Sequence, residues 1–227
     1  MESQTRLVWD LPLRLTHWLL VLCVAGSWAT HYAGVQWFPW HRRFGYAVLV
    51  LAAFRIVWGL VGTRHARFAN FVAGPRRILD YLRSGRSREW TGHNPLGALS
   101  VLAMLALLLV QALTGLFAND EIANAGPLYG WVGQATSNRV TGWHETNSNL
   151  LLALIALHLA AVAWHVLGRR QGLLRAMLSG RKPAHLVPAE ESISGSRGWL
   201  AALIVLGLCA ALAVAVRTAP EASIALF

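Results

Sequence analysis

Five long apolar stretches constrain the fold of this chain more than any other feature of its sequence. They cover residues 15–32, 44–61, 96–117, 149–167 and 199–216, and Arg55 is the only charged residue within them. Because roughly 20 apolar residues in a helix span the hydrocarbon core of a bilayer, each stretch predicts a transmembrane helix. The composition agrees, since 56% of the 227 residues are hydrophobic and 13% are charged, whereas about a quarter are charged in soluble domains.

The expected fold class is all-α: an integral membrane four-helix bundle plus one additional C-terminal transmembrane helix. We expect the bundle domain to cover residues 1–182. A polar segment with two prolines, residues 183–197, is predicted to be a linker. Residues 198–227 would then form the fifth helix and a short tail.

Basic residues alternate between the connections, which indicates the orientation of the chain. The connection after the first stretch has no basic residue before Arg42, and the connection after the third has only Arg139. The connections after the second and fourth stretches are rich in basic residues. The second is followed by Arg64, Arg67, Arg76, Arg77, Arg83, Arg86 and Arg88, and the fourth by Arg169, Arg170, Arg175, Arg181, Lys182 and Arg197. Because basic loops stay in the cytoplasm, the N-terminus is predicted to be cytoplasmic and the C-terminus periplasmic. Topology thus accounts for the net charge of +10, and we expect no nucleic-acid binding.

Histidines lie within or at the ends of these stretches, where a polar ring needs a partner. His144 and His158 are 14 residues apart, which places them within about 40° of one helical face and ~21 Å apart along the axis. That separation is most of the ~30 Å hydrocarbon thickness. Two ligands on one face, near opposite leaflets, suit two stacked cofactors.

Depth in the membrane pairs these histidines with two others. His17 would match His158 on the cytoplasmic side, and His41 would match His144 on the outer side. Haem iron takes axial ligands from facing helices of a bundle. The pattern therefore predicts two haem b groups, each with two histidines as iron ligands, and favours electron transfer over catalysis at iron. For His17 and His41 alone, a hydrogen-bonded packing role explains the sequence equally well, and a zinc site is not expected because clustered nitrogen and sulfur ligands are missing.

Arg55 follows His41 by 14 residues and shares its helical face. A charge at membrane depth usually pairs with an anion, and no acidic residue lies in the five stretches. A haem propionate would supply the anion, so Arg55 is predicted to bind the inner haem. The alternative is an arginine that extends to the cytoplasmic surface.

Several of these segments together resemble the bacterial cytochrome b561 family, which includes the b-type cytochrome subunits of membrane-bound Ni,Fe-hydrogenases. The similarity covers about residues 6–182 and is strongest in VWDLPLRLTHWLL, WHRRFGYAVLVLAAFRIVWGLVG, GHNPLGALSVLAMLALLLVQALTGLF and WHETNSNLLLALIALHLAAVAWHVLGRRQGLLRAMLSGRK. The resemblance implies four helices with two b haems on His17, His41, His144 and His158, an arginine at position 55, and a bacterial inner membrane location. It also implies electron transfer between membrane quinone and a redox partner. The fifth helix departs from the minimal form and from the hydrogenase subunits, which favours a periplasmic cytochrome c or another oxidoreductase as the partner.

Two other functions fit the same sequence. The first is an enzyme of this fold that oxidises superoxide at the outer surface and reduces quinone, with Arg42, Arg43 and Arg139 beside the outer haem. The second is a haem-free scaffold or transporter in which the histidines only pack. Whether the chain is an enzyme stays open at this point.

Overall fold

The computed structural model describes residues 4–84, 90–122 and 124–220. Arg86 and Arg88 of the predicted cytoplasmic connection, and residues 221–227 of the predicted tail, lie outside the described residues. In chain order the helices are α1 (Leu11–Tyr32), α2 (Phe38–Val61), α3 (Phe68–Phe71), α4 (Pro75–Ser84), α5 (Pro95–Gly115), α6 (Gln134–Ala163), α7 (Leu173–Ser179) and α8 (Gly198–Thr218).

Five of these helices are long and apolar enough to cross a membrane, namely α1, α2, α5, α6 and α8. The all-α membrane fold class is thereby confirmed. Helix α8, which lies wholly within the described residues, buries only Ala201, while Trp199 and Leu206 are 71% and 65% exposed. A helix that is apolar all round and exposed on most of its surface is suited to contact with lipid.

Two helices begin earlier than the hydropathy of the sequence indicates. Helix α6 starts at Gln134 rather than near residue 149, and α2 starts at Phe38 rather than near residue 44. Hydropathy detects the part of a helix that lies in hydrocarbon, whereas backbone hydrogen bonding continues through polar residues. As a result His41 and His144 both lie inside helices rather than at their first residue. Helix α6 ends in a π-helical turn over Trp164–Gly168.

The chain divides into two compact units, and the first lies within residues 1–17, 55–104 and 154–202. In this unit β1 (Thr5–Leu7) pairs with β2 (Arg181–Pro183) in an antiparallel ladder. The segment after β2 packs on the same unit, since Ile193 N donates to the carbonyl of Leu7 and Val187 is 1% exposed. The domain borders at residues 182 and 198 stay a prediction.

Asp10 organises the start of α1 in this first unit. Its carboxylate is fully buried and accepts a hydrogen bond from the backbone N–H of Leu13 at 2.7 Å, as an N-terminal cap does. Trp58 Nε1 and Thr63 Oγ1 also donate to the carboxylate. The first turn of α1 is therefore tied to the end of α2.

The second unit lies within residues 18–54, 105–153 and 203–227. Its helices are joined by polar contacts: Trp28 Nε1 of α1 donates to Ser148 Oγ of α6 at 3.3 Å, and Asn147 Nδ2 of α6 donates to the carbonyl of Leu107 of α5 at 2.9 Å. Such bonds satisfy polar groups at membrane depth and fix the helices against each other.

Candidate functional site

The predicted outer pair of histidines faces across the second unit. The ring centroids of His41 on α2 and His144 on α6 are 6.4 Å apart, with the ring planes at 76°. Two imidazole–metal bonds of about 2 Å, with about 1.1 Å from each nitrogen to its ring centre, place two axial imidazoles about 6 Å apart. The observed separation therefore fits an iron ion between the two rings.

Backbone carbonyls orient both rings. His41 Nδ1 lies 2.8 Å from the carbonyl oxygen of Ser27, and His144 Nδ1 lies 3.0 Å from that of Gln111. Because a carbonyl can only accept, each Nδ1 carries the proton and each Nε2 keeps a lone pair. This is the tautomer that a metal-binding imidazole needs, with its outer nitrogen hydrogen-bonded as metal ligands generally are.

Two amide side chains near His144, a half-buried one and a buried one, were not identified from the sequence. Gln111 Nε2 lies 2.9 Å from His144 Nε2, and Gln111 Oε1 accepts a hydrogen bond of 2.7 Å from Asn147 Nδ2. Asn147 is only 6% exposed. A signal was present in the sequence, because Gln111 interrupts an apolar stretch and Asn147 follows His144 by three residues. If His144 Nε2 binds iron, the Gln111 amide has to move away from it.

Two glycines shape the surroundings of the outer pair. A Cβ at Gly115 would lie 3.0 Å from Cε1 of His144, so this glycine lets the imidazole pack against α5. Gly45 follows His41 by about one turn of α2, and a Cβ there would meet no described atom within 4 Å. The space beside Gly45 is suited to a flat group next to the His41 ring.

The predicted inner pair lies in the first unit. His17 on α1 and His158 on α6 are both half-buried and close enough to interact electrostatically. The structure therefore places the two outer histidines ring to ring and the two inner histidines within electrostatic range of each other.

Arg55 of α2 belongs to the same unit and is 5% exposed. Its Cζ atom lies 5.1 Å from the ring centroid of Phe68 and 5.8 Å from that of Phe71. The structure contradicts an arginine extended to the surface. Nη1 and Nη2 are both buried and have no hydrogen-bond partner in the part of the chain that the structure describes.

The absence of acidic residues from the five apolar stretches does not leave Arg55 without a carboxylate of the polypeptide. Asp10, one residue before α1, is buried and interacts electrostatically with Arg55. Hydropathy missed this residue because it precedes the first apolar stretch. Asp10 oxygens accept from Leu13, Trp58 and Thr63, whereas Nη1 and Nη2 of Arg55 have no such bond among the described residues. A buried guanidinium whose two terminal nitrogens donate to no described group suits a carboxylate from outside the polypeptide, such as a haem propionate.

Comparison with known proteins agrees with this site. The family model of prokaryotic cytochrome b561 matches residues 8–180. The chain is 24% identical to a probable Ni/Fe-hydrogenase B-type cytochrome subunit of Rhizobium leguminosarum bv. viciae, over 80% of this chain and 90% of the relative. It is 27% identical to a protein of the same name from Azotobacter chroococcum mcd 1, over 76% of this chain and 86% of the relative.

The match confirms the resemblance seen in the sequence, and it covers α1, α2, α5 and α6 together with all four histidines. The chain belongs to the prokaryotic cytochrome b561 family and is a multi-pass membrane protein of electron transfer that binds haem b.

Proposed function

We propose that the chain holds two haem b groups, one between His17 and His158 and one between His41 and His144. It passes electrons between membrane quinone and a redox partner on the periplasmic side, either a cytochrome c or an oxidoreductase. The observation that carries the proposal is the outer pair: two imidazoles at 6.4 Å, each with Nδ1 bonded to a carbonyl, which leaves on Nε2 the lone pair that iron needs.

The residues of this chain have separate tasks in that function. Haem iron with two imidazole ligands supplies a one-electron redox couple and has no open position for a substrate. Ser27 and Gln111 hold the two outer imidazoles in the tautomer that binds metal and raise their basicity. Arg55 neutralises a propionate in the inner site, and its positive charge favours the reduced state of the inner haem. Removing Arg55 would weaken that preference.

The direction across the membrane rests on charge. The arginine-rich connections adjoin the inner pair, and the connections near the outer pair carry few basic residues. This asymmetry supports a cytoplasmic N-terminus, a periplasmic C-terminus and an inner-membrane location. The relatives are named as hydrogenase subunits, which supports a protein partner for the outer haem.

The ligand assignment is tested with His41→Ala and a matched control, His31→Ala. His31 also lies close to the outer pair, with its ring centroid 6.0 Å from that of His41, but it belongs to neither proposed pair. We expect His41→Ala to lose one of two haems per chain by pyridine haemochrome assay, and His31→Ala to retain both. Equal haem content in the two variants would refute the assignment of His41.

Electron transfer is tested with the purified protein in proteoliposomes of known orientation. We expect quinol in the bilayer to reduce both haems and oxidised cytochrome c on the periplasmic side to reoxidise them. Haems that quinol leaves oxidised would contradict the quinone part of the proposal, and haems that react only with cytochrome c added to the other side would contradict the orientation.

A further inference from the structure

A second candidate site lies in the first unit, outside the membrane-spanning segments. It is a cavity of about 770 Å³, formed by the chain after α2, by α4, by the approach to α5 and by residues 184–191. This volume is within the range of sites for small molecules, about 300–1,000 Å³. The described residues that line it do not include His17, His158 or Arg55, although Phe71, which lines it, also contacts Arg55.

The lining of this cavity is strongly positive. Four arginines and one carboxylate line it: Arg6, Arg64, Arg67, Arg77 and Glu191. Three positive charges are therefore left in excess, before any contribution from histidine. A cavity with one sign of charge and low-dielectric walls concentrates ions of the opposite sign.

Three of these four arginines contact neutral groups. Arg6 Nη1 donates to the backbone carbonyls of Ala184 and Val187, and Arg64 Nη1 donates to that of Glu190 at 2.9 Å. Arg77 lies over the ring of Trp90, with Cζ 5.0 Å from the centroid. These contacts hold the guanidinium groups in place without neutralising them, so the site is already arranged for an anion.

Two further side chains lining the cavity keep unused polar atoms. Trp90 Nε1 and His93 Nδ1 are both buried and have no hydrogen-bond partner in the described part of the chain. A buried polar atom without a partner is costly, and a movement of these side chains toward a ligand oxygen in the cavity would relieve that cost. The indole N–H can only donate, so this side of the cavity also selects an acceptor.

We propose that this cavity binds a phosphate group, carried either by the head group of an anionic phospholipid or by a soluble phosphate compound. Several arginine forks around one cavity match the oxygens of phosphate better than the two oxygens of a single carboxylate. The arginines lie at the membrane boundary on the predicted cytoplasmic side, where basic pockets bind lipid head groups. This inference does not depend on the proposed electron transfer.

The experiment compares two double variants of the full-length, haem-loaded protein. Arg67→Gln with Arg77→Gln removes two charges from the cavity, and the matched control, Arg76→Gln with Arg175→Gln, removes two exposed charges that do not line it. Both variants lower the net charge equally, so a general surface effect would weaken them alike. Haem content is measured in parallel.

Two arms distinguish the sources of phosphate. In the first, native mass spectrometry counts phosphatidylglycerol retained by protein taken from phosphatidylcholine vesicles containing phosphatidylglycerol. In the second, calorimetry measures the binding of inorganic phosphate to lipid-free protein in detergent. Retention in the first arm assigns the site to a lipid head group, and binding of phosphate alone assigns it to a soluble compound.

At about fivefold per arginine, we expect about 25-fold weaker binding for the cavity variant and less than a twofold change for the control. Unchanged binding in both arms, or an equal loss in the control, would overturn the proposal. Haem loss with unchanged phosphate binding would also overturn it, since the arginines would then serve the haem. If the double variant does not fold, Arg67→Gln alone is expected to show the fivefold loss.

Discussion

The substitution Asp10→Asn tests how the polypeptide builds the inner site. Asp10 is fully buried, and its two oxygens accept hydrogen bonds from the Leu13 N–H, Trp58 Nε1 and Thr63 Oγ1. Asparagine has nearly the same shape but only one oxygen, so its NH2 group has to face at least one of these donors. The substitution therefore weakens the link between the first turn of α1 and the end of α2 while leaving the packing volume unchanged.

The expected size of the effect follows from these contacts. Hydrogen bonds to a charged group stabilise by about 1.5–3 kcal/mol and a donor left unsatisfied costs about 1–3 kcal/mol. The substitution removes the cost of burying the Asp10 charge, but it also takes away the electrostatic partner of the buried Arg55. Together these changes leave a net destabilisation of about 2–4 kcal/mol. For a chain of this size each kcal/mol lowers the Tm by about 2–4 °C, so we expect a fall of roughly 5–15 °C.

The assay combines thermal unfolding in detergent with a potentiometric titration of the haem spectrum. His17 lies two helical turns after Asp10 on α1, so we expect the inner haem to lose occupancy or shift in potential. The outer pair belongs to the other unit, and its redox wave is expected to stay unchanged. Asp80→Asn on the exposed surface of α4 is the control and is expected to alter neither property. An equal effect on both redox waves, or a Tm that does not change, would refute this account of Asp10.

Three further predictions concern single side chains. Arg55→Leu removes the buried cation of the first unit, and we expect a shifted potential for the inner haem only; a shift of both potentials in the titration would contradict its assignment. Gly45→Ala adds a methyl group where no described atom lies within 4 Å. We therefore expect weaker retention of the outer haem with no loss of stability of the apo-protein. Unchanged haem retention would mean that no flat group lies beside Gly45. Burial, with the charges of Arg55 and Lys182 and the ring of His65, lowers the pKa of His93 from 6.5 to about 3. The unfolded chain then binds more protons than the folded one between these pH values, so stability falls as the pH drops through that window. We expect the Tm of His93→Gln to fall less steeply with decreasing pH than that of the unaltered protein. Identical slopes of Tm against pH for the two proteins would contradict this prediction.

The transmembrane helices could be predicted from the sequence because hydropathy depends on composition alone. Apolar runs such as 96–117 and 199–216 have no other stable environment than hydrocarbon. The pairing of His17 with His158 and of His41 with His144 could also be predicted from the sequence, since a spacing of 14 residues indicates both the helical face and the depth in the membrane. The structure places these residues together, while their role as iron ligands remains a proposal.

Contacts made by polar side chains could not be predicted in the same way. Asp10 lies outside every apolar stretch, and nothing local shows that Trp58 and Thr63 donate to it. Gln111 meets His144 only because α5 and α6 pack in one particular register, which depends on side-chain fit rather than on hydropathy. The cationic cavity likewise gathers Arg6, Arg64 and Arg77 from distant parts of the chain.

The central claim, that four histidines bind two haems in the pairs His17 with His158 and His41 with His144, is tested most directly by potentiometric titration of the four single alanine variants. We predict two redox waves in the unaltered protein. Each variant is expected to lose one wave, the same wave for both members of a pair and a different wave for the other pair. Variants of His17 and His158 that lose different waves, or any of the four that keeps both, would contradict the claim.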